Sequence, residues 1–204
     1  MIVSYIERWG KFFPALVPAL LDAAPWNVVA DLPQIIGVAL DSLGSAYHWH
    51  GDIAVHRSAT VEAGATLKGP AIIGPGCLVA SGAYLRGGVW LLDKCTIGPG
   101  AEVKTSLIFP GSALAHFNFV GDSILGSGVN LEAGSIIANH RNELDGDTMR
   151  IVVGEQVVET GVTKFGALVG DGARIGANAV VAPGALLSRG AIVARLGLID
   201  QRPV

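Results

Sequence analysis

Ala59-Thr60-Val61-Glu62-Ala63-Gly64-Ala65-Thr66-Leu67-Lys68-Gly69-Pro70-Ala71-Ile72-Ile73 is the stretch that decides the fold. From it, aliphatic residues recur every six positions: Val61, Leu67, Ile73, Val79, Leu85, Leu91, Ile97 and Val103. Two residues before each stands a small or aliphatic residue: Ala59, Ala65, Ala71, Cys77, Ala83, Val89, Cys95 and Ala101. The phase returns at Val169, Ile175, Val181, Leu187 and Val193, and Leu125, Leu131 and Ile137 keep the spacing in a shifted phase. A period of six is neither helical nor simple strand alternation. It fits a short strand, a turn, and one large aliphatic side chain pointing inward per side, with the small residue filling the corner. Three such sides close a triangular coil, and coils stack as parallel strands roughly 4.8 Å apart. Pro75-Gly76, Pro99-Gly100 and Pro183-Gly184 supply corner turns.

Working outward, residues 1–50 do not repeat and are expected to form a helical cap over the first coil, because an open solenoid end exposes strand edges. Asp31-Leu32-Pro33 reads as a helix start and Gly44 as a stop. The coils are expected over 51–196, interrupted at 140–163 by a protruding β-hairpin, with a tail at 197–204. Arg8, Lys11 and the apolar run Phe12 to Leu21 imitate a secretory signal, but two prolines and the following Asp22 favour a packed helical segment. No run reaches the roughly 18 apolar residues of a membrane span.

Composition narrows the function classes. The chain of 204 residues is 50% hydrophobic and 15% charged, which excludes disorder. A net charge of -3 offers nothing to nucleic acid or to a strongly anionic membrane. Two cysteines make no disulfide framework and point to a reducing, cytoplasmic setting. Cys77 and Cys95 are 18 residues apart, so they stack as core thiols.

The same 18-residue step aligns Lys68, Arg86 and Lys104 in an outward column. Stacked like charges repel. Either neighbouring acids relieve the ridge, or the column holds a phosphate. The phase slip between Val103 and Leu125 contains Ala115-His116-Phe117-Asn118-Phe119-Val120-Gly121-Asp122. A neutral imidazole there, beside the basic column, suits a general base. Asn130 and Asn139 follow nearby. His48, His50 and His56 cluster near the cap junction without a cysteine or carboxylate pair to suggest a metal.

The hexapeptide pattern resembles the left-handed parallel β-helix, which supplies the handedness. The segment from Ala115 through Asn139 resembles the acetyltransferase half of the bifunctional N-acetylglucosamine-1-phosphate uridylyltransferase/glucosamine-1-phosphate acetyltransferases. It is also similar to the C-terminal β-helix of archaeal sugar-1-phosphate nucleotidylyltransferases with acetyltransferase activity. The spacings from His116, 14 to Asn130 and 23 to Asn139, match that motif without a gap. The resemblance implies a mainly β enzyme that is an N-acetyltransferase using acetyl-CoA on an amino-sugar 1-phosphate. It implies His116 as base, and Arg86, Lys104 and Lys164 on the phosphate. Asn130, Asn139 and the Phe119 position would face substrate, with the Ala133 N–H at the thioester, in a homotrimer packed side by side. Phe119 and His140 stand where that family has tyrosines, which bears on the sugar more than on the reaction. The 50 residues before the repeat cannot house a nucleotidylyltransferase half, so an acetyltransferase alone is expected. Two other readings share the scaffold. One is a noncatalytic sugar-phosphate or nucleotide binder. The other is a metal-dependent hydratase of the γ-carbonic-anhydrase type, which needs three converging histidines.

Overall fold

The computed structural model describes residues 1–12, 22–143 and 148–201. The repeat closes into a parallel β-helix with three faces. The first face stacks Ile53–His56, Ala71–Ile73, Ile124–Leu125, Ala167–Val169 and Ala185–Leu187. The second is a seven-stranded sheet running from Thr60–Val61 to Ile192–Val193. The third runs from Thr66–Leu67 through Phe119–Gly121 and Ile136–Ile137 to Leu198–Ile199. Tyr84–Leu91 and Glu102–Ile108 bend round a corner and serve both the third face and the first. The inward aliphatic and small residues read from the repeat form one continuous core, with Leu85, Leu91, Ile97, Val103, Leu131 and Ile137 fully buried. Each such side chain contributes about 1.5–3 kcal/mol over the exposed state. Cys77 and Cys95 lie in it as free thiols, with the Cys95 N–H donating to Cys77 Sγ at 3.4 Å. A side-chain hydrogen bond with the Cys77 thiol, and then burial, push the Cys95 thiol up.

The shifted phase has a local cause. Leu78 pairs with Thr96, an 18-residue step, but Thr96 pairs with Ala113 and Ala113 with Asn130, steps of 17. The corner between the third and first faces is Gly87-Gly88 in the longer coil. In the next two coils it contracts to Thr105 and to Asp122, both at positive φ, 45° and 47°.

The N-terminal region differs from the expected lid. Its helices, Ile2–Tyr5, Trp9–Phe12, Pro25–Ala30 and Leu32–Asp41, lie along the outside of the first face rather than over its end. The reason is the outward column Ile72, Trp90, Leu107, Ile124 and Leu168. These residues make the first face apolar on both sides, and such a sheet must be covered on both. Ile2, Ile6, Trp9, Trp26, Leu32 and Ile36 cover it, with Trp9 on Phe109 at 5.8 Å and Trp26 edge-on to Phe165 at 6.1 Å. Arg189 Nε donates to the Tyr5 carbonyl at 3.2 Å and pins the chain start to the far coils. Asp31 precedes the last helix but makes no side-chain capping bond. The first coil is instead covered on this face by the strand Tyr47–His50, antiparallel to Ile53–His56. Most of the apolar run 12–21 lies outside the described residues.

The insertion forms the expected hairpin, Arg150–Val153 with Gln156–Glu159. It does not stand free: Met149 and Ile151 are buried in the same outer cluster as Phe165 and Leu168. The expected tail also carries a strand, Leu198–Ile199, paired with Val180–Val181. Among the described residues no helix is long and apolar enough to cross a membrane.

Candidate active site

Two corners of the contracted coils carry the sequence candidates, at opposite ends of the strand Phe119–Gly121. The corner between the second and third faces has one positive-φ residue per coil: Gly64, Gly82, Gly100, Phe117, Gly134, Asn178 and Leu196. Phe117, at φ 52°, is bulky where glycine is the ordinary solution, and its side chain is 73% exposed. The ring lies on Gly100, where an added Cβ would come within 2.6 Å of Phe117 Cδ1. This turn presents His116 as an exposed side chain.

The His116 corner is tied to the next one, which holds Ala133. The Gly134 N–H donates to the His116 carbonyl at 2.9 Å. Asn118, 2% exposed, occupies the small-residue column and donates Nδ2 to the Glu132 carbonyl at 2.7 Å and to Ser135 Oγ at 2.9 Å. Its Oδ1 is buried without a partner, a burden of about 1–3 kcal/mol. Sequence reading gave Asn118 no role. The available signal is a large polar residue in a column that on this face holds Ala65, Ala83, Ala101, Ser135 and Ala179. Asn130 is exposed on the second face, in register with Ala113 and Arg174. With Glu132, Arg174 and Arg195 it lines a groove of about 250 Å³. Arg195 makes two 2.8 Å bonds to Glu132, which hold that carboxyl below the usual carboxylate range.

The other corner gathers the cations. The column of Lys68, Arg86 and Lys104 forms, with Arg86 in register with Lys104, and acids do relieve it. Arg86 pairs with Glu102 at 2.7 Å. Lys104 Nζ reaches both oxygens of Asp122 at 2.8 and 2.7 Å, and Thr105 Oγ1 at 3.3 Å, so its three N–H donors are engaged within the chain. Lys68 lies over the Tyr84 ring, 5.2 Å from its centroid. Asn139 Nδ2 donates to Asp122 Oδ2. The Asn139 amide and the Phe119 ring both close over Gly121, where a Cβ would sit 2.8 Å from each. The exposed Lys164 is brought beside them because the Phe165 N–H donates to the Asn139 carbonyl at 3.2 Å. Asp122, 6% exposed, is a second residue that sequence reading left without a role.

The fold therefore divides the candidates. Arg86, Lys104, Phe119, Asn139 and Lys164 gather toward one corner; His116, Ala133 and Asn130 gather toward the other. Among the described residues no group of three or more His, Cys, Asp or Glu side chains could hold a metal ion. His56 bonds Ser58 at 2.8 Å, and His48 and His50 stand on the exposed first strand.

No family model matches the chain. It is 32% identical over 159 residues to a bifunctional sugar-1-phosphate nucleotidylyltransferase/acetyltransferase of Sulfurisphaera tokodaii, covering 74% of this chain and 38% of that one. It is 37% identical over 128 residues to the bifunctional protein GlmU of Alkalilimnicola ehrlichii, covering 60% of this chain and 27% of that one. The chain thus spans well under half the length of these relatives. A solved structure of the N-acyltransferase AntD from Bacillus cereus superposes with a TM-score of 0.48 at 14% identity, over 76% of this chain and 83% of that one. By its repeat and its three-faced fold the chain is a hexapeptide-repeat parallel β-helix, and over 74% of its length it is similar in sequence to a sugar-1-phosphate nucleotidylyltransferase/acetyltransferase.

Proposed function

We propose that this protein is an acetyl-CoA-dependent N-acetyltransferase acting on an amino-sugar 1-phosphate of the glucosamine or galactosamine type. The observation that carries the reading is the coupling of the His116 and Ala133 corners. Their gapless spacing with Asn130 and Asn139 is the family motif, and backbone and Asn118 bonds lock them together.

Arg86 and Lys164 contact the phosphate, and Lys104 adds charge from behind its Asp122 partner. The sugar amine is thereby turned toward His116. The neutral imidazole accepts one proton from the amine as its nitrogen attacks the thioester carbonyl carbon. The Ala133 N–H, to which no hydrogen-bond acceptor is assigned among the described residues, donates to the resulting oxyanion. Collapse breaks the C–S bond, and the imidazolium returns its proton to the departing thiolate.

The chain works as a homotrimer in this reading. Exposed Phe117, Ile136, Ile192, Leu196 and Leu198 are spread along the corner between the second and third faces and the two faces it joins, among the polar Asn130, Arg174 and Asn178. A mixed surface with exposed apolar side chains suits contact with further copies.

The test is thiol release from acetyl-CoA with glucosamine 1-phosphate and galactosamine 1-phosphate, for wild type and His116→Ala. Turnover by wild type and its loss in the variant, at unchanged oligomeric state, are the expected results. Saturable sugar-phosphate binding without turnover would replace this reading with the noncatalytic one. Neither binding nor turnover would reject the substrate class.

A further inference from the structure

We infer that Asp122 is a positioning residue that fixes Asn139 so that its carbonyl oxygen, not its amide nitrogen, meets the substrate. The inference rests on the acetyltransferase reading for the identity of that substrate. A carboxylate only accepts hydrogen bonds, so the Asn139 atom facing Asp122 Oδ2 is the NH2 group. The Asp122 side chain is 9% exposed and held by two bonds from Lys104, so it has no freedom to release the amide. Its corner, contracted to one residue at φ 47°, aims it at Asn139. Gly121 leaves the space over which the amide lies.

Asn139 is partly exposed, and its Oδ1 accepts no hydrogen bond from the described residues. It is therefore offered to solvent or ligand as an acceptor. An acceptor fixed in this way recognises an N–H or O–H donor. It repels a thioester or acetyl carbonyl oxygen. Asn139 consequently orients an N–H or O–H donor of the sugar rather than the acetyl group. The same carboxylate engages Lys104, leaving direct phosphate contacts to Arg86 and Lys164.

The test compares Asp122→Asn, Asn139→Asp and the double variant, by single-turnover acetyl transfer and by calorimetric titration with glucosamine 1-phosphate alone. Asparagine tolerates the left-handed backbone at position 122, so the first variant retains its turn. Asp122→Asn should lower the transfer rate at least tenfold, with the KM for acetyl-CoA unchanged and sugar-phosphate binding weakened. Asn139→Asp, which sets two carboxylates against each other, should lose more. The double variant restores one donor facing one carboxylate and still presents an oxygen acceptor, so it should recover to within about tenfold of wild type. A merely structural role would move the melting temperature without that rescue. Wild-type transfer and binding in Asp122→Asn, or a folded double variant no better than the singles, overturns the inference. Absence of transfer in wild type, with the same pattern of loss and rescue in binding, would reject the transferase reading and leave the Asp122 role supported. If wild type neither binds nor reacts, both are rejected.

Discussion

Coils built on an 18-residue step and those built on a 17-residue step share one core and differ at their corners. In the regular coils the corner between the third and first faces is Gly87-Gly88, and the residue before the Leu85 column is Ala83. In the contracted coils the corresponding places hold Thr105, Asp122 and Asn118, while Phe117 takes the left-handed position that glycine holds at 100 and 134. The inward column is indifferent to the change: Leu85 and Leu131 are equally buried. Of the six non-glycine residues at positive φ among the described residues, Thr105, Phe117 and Asp122 fall at corners of the contracted coils, and Lys94, Asn178 and Leu196 fall outside them. Strain of this kind persists where the surrounding structure holds the backbone in place.

The sharpest break between the two coil types is chemical. His116→Ala should lower turnover by roughly 10²–10⁴, the usual contribution of a positioned base. Its exposed side chain makes a melting temperature close to wild type the companion result. If turnover survives, the contracted coils are no more functional than the regular ones.

Core truncation probes the part that the two coil types share. Leu85→Ala and Leu131→Ala should each destabilise by about 2–5 kcal/mol in urea titrations. A clearly smaller loss at Leu131 would show that the contraction loosens the core.

Corner strain should be readable as a pair of opposite signs. Phe117→Gly relieves a left-handed bulky residue and should stabilise by about 1 kcal/mol, while weakening self-association if the exposed ring lies at a contact. Gly100→Ala should destabilise by about 1 kcal/mol or more, because its φ is 69° and the added methyl meets the Phe117 ring. Differential scanning calorimetry with sedimentation separates the two effects.

The smallest effect concerns pH. Glu132 is held below the usual carboxylate range, first by the Arg195 hydrogen bond and then by the Ala177 N–H. A lowered folded value adds stability above the unfolded carboxylate value, and that increment disappears as pH falls through the folded value. Glu132→Gln should therefore melt slightly below wild type near neutrality and converge with it in acid. A melting-temperature series over that range checks the sign.

The coils were legible because an inward side chain every sixth residue is a property of the chain itself. Val61 through Val103 and Val169 through Val193 announce it without help from any neighbour. The same arithmetic stacked Arg86 on Lys104 and Cys77 on Cys95. The outward column Ile72, Trp90, Leu107, Ile124 and Leu168 keeps the 18-residue step only between its first two members and is hidden in the sequence, since an outward apolar residue acquires meaning only from what covers it. For that reason the sequence alone places the N-terminal helices over the end of the solenoid rather than along its side.

The sequence by itself determined the coil, its core and the chemical types gathered around His116, because those follow from periodicity and residue chemistry. Only the tertiary structure decided how the charges pair, which way the Asn139 amide faces and which corner each candidate occupies. Those outcomes hang on two one-residue contractions, at Thr105 and Asp122, that turn an 18-residue step into 17 and bring an acid within reach of Lys104. A spacing rule records the missing residue as a slip; the closed coil sets Asp122 against Lys104 and Asn139.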